Sequence, residues 1–116
     1  MREWKAFNDI LFDFDKSNIR PSEQSKIGDI VKMAKESPQF EIGLNGYADP
    51  RGSTAYNQKL SERRVNTIKN AVIAGGVSAD RLKTVAAGEH GRNCMEKTEE
   101  CYQKNRRVEV LVRPSS

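Results

Sequence analysis

Gly46-Tyr47-Ala48-Asp49-Pro50-Arg51-Gly52-Ser53 runs directly into Thr54-Ala55-Tyr56-Asn57-Gln58-Lys59-Leu60-Ser61-Glu62-Arg63-Arg64-Val65, and this stretch decides the fold. Pro50 and Gly52 mark a turn over Ala48 to Ser53, and Ser53 is a natural N-cap for a helix that starts at Thr54. Gly75-Gly76 stops that helix, so it is predicted over Thr54–Ala74. On a wheel of about 100° per residue, Leu60, Val65, Ile68, Ala71 and Val72 form one apolar arc that should meet a sheet. Arg64 and Asn57 fall in the middle of that arc, whereas Lys59, Glu62, Asn66 and Lys69 occupy the opposite half.

An arginine on an apolar face needs an explanation. Its guanidinium carries five donors and keeps its charge, so burying it without a partner is costly. Arg64 therefore calls for an anion close by. Asp49, in the turn before the helix, is one candidate; a carboxylate on a ligand is the other. Two arrangements follow. An Arg64–Asp49 bridge would only pin the turn to the helix. Alternatively, the two line one pocket, where Asp49 takes the ammonium and Arg64 the carboxylate of a zwitterionic ligand. Asn57, at i and i+7 from Arg64, either adds an amide hydrogen bond to such a ligand or bonds nearby backbone.

Working outward, Phe7 to Phe14 alternates like a half-buried strand and is followed by a turn at Asp15 to Asn18. Pro21 suits the first turn of a helix whose apolar face is Ile27, Ile30, Val31 and Ala34, and Ser37-Pro38 ends it. Phe40 to Tyr47 is a second strand, Leu82 to Ala87 a third, and Arg106 to Val112 a fourth with Val108, Val110 and Val112 alternating. His90 to Lys104 is polar and reads as an excursion loop. The order strand-helix-strand-helix-strand-loop-strand predicts an α/β (α+β) sandwich with two helices on one small mixed sheet, a single domain spanning residues 1–116. Strands joined through helices are expected to be parallel neighbours with right-handed crossovers.

The 116 residues are 36% hydrophobic and 31% charged, with a net charge of +4 spread along the chain. No apolar run approaches the roughly 20 residues of a spanning helix. The opening Met1-Arg2-Glu3-Trp4-Lys5 has no apolar signal core, so export and anchoring are expected to depend on residues outside this chain. Cys94, Cys101 and the lone His90 make a poor metal set, and no metal or cofactor is expected. By spacing alone the two cysteines read equally as free thiols or as a short disulfide loop.

The stretch from Gly46 to Val65 resembles the signature of OmpA-like domains, roughly G-H-T-D-x-x-G-S-x-x-Y-N-x-x-L-S-x-x-R-A. Phe12-Asp13-Phe14-Asp15-Lys16-Ser17 and Asn105-Arg106-Arg107-Val108-Glu109 resemble the flanking features of the same family, in the same order. The resemblance implies a non-enzymatic periplasmic domain that binds peptidoglycan non-covalently through the diaminopimelate of the stem peptide and tethers the outer membrane to the wall. The family's conserved acid and arginine fall on Asp49 and Arg64. By the same matching, Asn57, Leu60, Ala48 and the Phe14-Asp15 loop would line the pocket. Tyr47-Ala48 replaces the family His-Thr, so a hydroxyl is missing there and any contact falls to backbone or to Tyr47. Some OmpA-like domains carry a disulfide where Cys94 and Cys101 stand, which favours the disulfide.

Within the family, the length and the Phe-Asp-Phe-Asp-Lys-Ser start look most like peptidoglycan-associated lipoproteins, which would imply Tol-system partners and a membrane contact only through an anchor outside this chain. A porin tail or a flagellar stator protein is the alternative parent. Two other classes weigh less. A wall hydrolase would need an activated nucleophile, and the only histidine lies in a loop; Asp13 and Asp15 read as a solvated edge. A nucleic-acid module is permitted by the basic charge, but the strands lack an exposed aromatic pair flanked by basic residues, so nucleic acid is not an expected partner.

Overall fold

The computed structural model describes residues 3–91 and 94–115. Seven elements follow in order: β1 (Lys5–Leu11), α1 (Gln24–Glu36), β2 (Phe40–Gly46), α2 (Thr54–Ala74), β3 (Leu82–Ala86), α3 (Glu99–Asn105) and β4 (Arg107–Pro114), with short 3-10 turns at Pro21–Glu23 and Ala79–Arg81. The four strands form one mixed sheet in the order β1-β4-β2-β3. The α/β sandwich with a small mixed sheet is thus as expected. β2 and β3, joined through α2, are parallel neighbours. β1 and β2, joined through α1, share a direction but are not the neighbours expected, because β4 pairs with both and separates them. β4 lies between them, antiparallel to both, with Val108 opposite Ile10 and Gly46, and Val110 opposite Asn8 and Leu44.

The core lies between the sheet and the helices. Ile10, Phe12, Ile42, Leu44, Val108 and Val110 come from the sheet side; Ile30 and Ala34 come from α1; Val65, Ile68 and Val72 come from α2. α2 follows its sequence reading closely. The Ser53 hydroxyl accepts from the Tyr56 N–H at the N-terminus, and Gly76, at φ 105°, closes the C-terminus in the left-handed region that glycine tolerates. Gly46 lets α2 come down onto β2. A Cβ there would meet Val65 Cγ2 at 2.3 Å and the Ser61 carbonyl oxygen at 2.6 Å. That close approach sets the depth at which Arg64, one turn along, enters the fold.

Two further expectations are corrected. The first strand is Lys5–Leu11 rather than Phe7 to Phe14. Phe12 still donates its N–H to the Arg106 carbonyl and is fully buried. The chain then leaves the sheet in a turn, with Lys16 N–H bonded to the Asp13 carbonyl and Asp15 at φ 57°. Phe14 is therefore 54% exposed instead of continuing the alternation. The second correction is α3, inside the segment read as a loop. Thr98 caps it by accepting from the Cys101 N–H, and Glu99 and Glu100 occupy the first turn. Only Cys101 and Asn105 are buried in it, so it shows no apolar period to find. Arg92 and Asn93 of that segment lie outside the described residues. Cys94 and Cys101 form a disulfide, with their Cα atoms 5.4 Å apart, that ties the incoming chain to α3.

Candidate functional site

One cavity of about 380 Å³ opens between the N-terminal half of α2, the loop after β1 and the loop after β2. All seven residues singled out in the sequence border it: Phe14, Asp15, Ala48, Asp49, Asn57, Leu60 and Arg64. Arg51, Gly52, Ser53 and Tyr56 border it too, and the sequence reading did not single them out as site residues.

Arg64 is 0% exposed and forms the cavity floor. Its three nitrogens diverge to three backbone carbonyls. Nε donates to Lys16 at 2.9 Å, Nη1 to Tyr47 at 2.9 Å and Nη2 to Asp13 at 3.1 Å. The Arg64–Asp49 bridge weighed from the sequence is not formed. The helix face on which Arg64 sits is covered by turns whose carbonyls point inward, and those neutral oxygens satisfy it. Of five guanidinium donors, three are used in this way and two N–H bonds have no partner among the described residues. Burial, and then the neighbouring Arg106, push the Arg64 pKa down to about 10. The group stays a cation at neutral pH, with no carboxylate of the described residues in hydrogen-bonding contact.

Asp49, 4% exposed, has its own cations. Oδ1 accepts from Arg51 N at 3.0 Å and Arg51 Nε at 3.1 Å. Oδ2 accepts from Arg51 Nη2 at 2.9 Å and Arg106 Nη1 at 3.2 Å. Burial alone would raise this carboxyl; the hydrogen bonds from Arg51 and Arg106 outweigh it and hold Asp49 below the usual carboxylate range. Arg106 is itself buried and donates to the Phe12 carbonyl, Glu99 and Gln103.

The remaining residues frame the opening. The Tyr56 hydroxyl donates to the Asp15 carboxylate, joining the α2 wall to the loop after β1. Asn57, 1% exposed, donates its amide to Glu89 rather than to nearby backbone. Leu60 supplies apolar floor, and Ala48 donates its N–H to the Gly88 carbonyl. Tyr47 turns away, its ring stacked on the Arg107 guanidinium at 4.0 Å, so only its carbonyl serves the site, through Arg64. Arg106 was legible only as a member of the Asn105-Arg106-Arg107-Val108-Glu109 stretch; both it and Arg107 are buried, so alternation along a strand does not single it out. For Arg51 the signal was its place two residues after Asp49 in a turn that folds its side chain back.

The sequence profile of the OmpA family matches residues 11–107. The chain is 35% identical over 104 residues to outer membrane porin F of Pseudomonas fluorescens, covering 90% of this chain and 32% of the porin. It is 31% identical over 103 residues to the peptidoglycan-associated lipoprotein of Brucella melitensis, covering 89% of this chain and 61% of that protein. The chain thus spans about a third of the porin and under two thirds of the lipoprotein. The solved peptidoglycan-associated lipoprotein of Burkholderia pseudomallei superposes with a TM-score of 0.86 at 25% identity, over 93% of this chain and 90% of that one. On the match over residues 11–107, which takes in both loops and the helix that border the cavity, the chain belongs to the OmpA family.

Proposed function

We propose that this chain binds peptidoglycan non-covalently, taking the diaminopimelate of the stem peptide into the cavity above Arg64 and so holding an outer membrane to the wall in the periplasm of a Gram-negative bacterium. The observation that carries this reading is the buried Arg64 cation. It sits under a cavity, and among the described residues its partners are neutral carbonyls and two of its N–H bonds are unpaired. A carboxylate over that floor neutralises it, and a bidentate guanidinium–carboxylate pair is the geometry that suits it. Diaminopimelate brings ammonium groups and carboxylates together, and Asp49 supplies the complementary anion in the lining of the same cavity. Leu60 and the Phe14 ring offer apolar surface to the methylene chain between them.

The names of the relatives support the same reading, since two are peptidoglycan-associated lipoproteins and one is an outer membrane porin. On this reading the site holds and does not cleave: its work is done by preorganised charge on α2 and two loops. A lipoprotein parent would add Tol-system proteins as partners. The test is sedimentation with insoluble peptidoglycan. Walls built on diaminopimelate should carry the protein down and free diaminopimelate should release it. Equal binding to walls that have lysine in that place would defeat the assignment of the ligand.

A further inference from the structure

The seat for an ammonium on Asp49 is already taken. A carboxylate offers about four lone-pair positions, and Arg51 and Arg106 fill them. The two arginines hold it differently. Arg106 is 3% exposed and tied to the Phe12 carbonyl, Glu99 and Gln103 as well, so it cannot leave without breaking the fold around it. The Arg51 side chain is 35% exposed. Apart from Asp49 and a 3.7 Å approach to Glu99, it is held by stacking between the Phe14 and Tyr102 rings, at 4.2 Å from each. Turning only that side chain outward frees one position on each Asp49 oxygen. The Arg51 backbone N–H and Arg106 stay in place to fix the carboxylate.

We infer that Arg51 is a specificity latch: its guanidinium occupies the position on Asp49 that a ligand ammonium takes, and a ligand displaces it efficiently only by bringing a carboxylate as well. The inference rests on the ligand class proposed above. Its reason is charge. Arg51 and Arg64 border the same cavity, and Arg106 stands behind Asp49. An ammonium that arrives alone takes the anion from Arg51 and crowds a further cation among three. A zwitterion exchanges like for like: its ammonium goes to Asp49, and its carboxylate meets the released Arg51 and the Arg64 floor, where planar guanidinium groups favour it over a point charge. The latch therefore rejects simple amines, which any exposed aspartate would accept.

The test compares meso-diaminopimelate with cadaverine, the same diamine without carboxylates, by calorimetric titration of the full chain. Arg51→Met keeps an unbranched stem between Phe14 and Tyr102 while removing the hold on Asp49, and Arg51→Lys keeps the charge with a weaker hold. The parent protein should bind diaminopimelate and discriminate strongly against cadaverine. In Arg51→Met cadaverine binding should tighten about tenfold, the ratio expected when a closed state populated about nine times in ten is removed, while diaminopimelate, which loses the released guanidinium as a partner for its carboxylate, should gain less, so the discrimination falls, and Arg51→Lys should fall between. Unchanged or increased discrimination in both variants, or loss of all binding in Arg51→Met while the parent still binds, overturns the latch and leaves the proposed function standing. A parent protein that binds neither compound overturns both.

Discussion

Arg64→Lys separates the two roles of the buried cation. Lysine keeps the charge, so the electrostatic floor of the cavity is retained in sign. It loses the geometry. The guanidinium reaches the Lys16, Tyr47 and Asp13 carbonyls from three separate nitrogens, and a single ammonium cannot meet three acceptors spread around that fork. If one of the three bonds survives and each lost bond from a charged donor is worth about 1.5 kcal/mol at the low end, the loss is about 3 kcal/mol. For a chain of this size that is a fall in melting temperature on the order of 10 °C. The assay is thermal unfolding followed by circular dichroism, with peptidoglycan sedimentation performed well below the transition. The expected outcome is a folded, less stable protein whose wall binding is weakened, because a point charge replaces a bidentate donor. A melting temperature within a degree or two of the parent would show that the three carbonyl contacts do not hold the loops together, and the account of Arg64 as the joint between α2 and both loops would be wrong.

Other perturbations probe the rest of the frame. Replacing both cysteines with serine opens the loop from Cys94 to Cys101, which should cost roughly 2–3 kcal/mol by the chain-entropy argument and loosen α3; unchanged denaturant midpoints would refute this. Gly46→Ala places a methyl group 2.3 Å from Val65 Cγ2, and overpacking of that kind costs about 1–3 kcal/mol; chemical denaturation should register it. Asp49 carries a pH signature. Its folded pKa lies below its ordinary value of 3.8, so its stabilising contribution is fully present above that value and is lost as pH falls through the folded pKa. The stability gap between the parent and Asp49→Asn should therefore be constant from neutral pH to about pH 5 and shrink below about pH 4; a gap that stays the same at pH 3 would contradict the Arg51 and Arg106 contacts.

The long helix was legible because three signals agreed: a serine cap, a wheel with one apolar arc, and a glycine stop. The two arginine-lined turns were less so. Phe12 and Phe14 have the spacing of a strand, yet the backbone turns between them because its Asp13 and Lys16 carbonyls are drawn toward Arg64. That attraction comes from a residue about fifty positions away, and no local pattern carries it. α3 escaped for a related reason. It is short, polar and held by a cap and a disulfide instead of an apolar stripe. Burial of Arg64 was readable from its position on the wheel. Its partners were not, because backbone carbonyls have no residue identity in a sequence, and the obvious anion, Asp49, is claimed by Arg51 and Arg106.

The most direct test of the buried-cation account is a crystal structure of the chain with meso-diaminopimelate. The account predicts a ligand carboxylate in the cavity within hydrogen-bonding distance of the Arg64 guanidinium, with an ammonium of the same molecule on Asp49. Ligand bound on another surface, or an Arg64 cavity that remains empty when the protein is saturated, would contradict it.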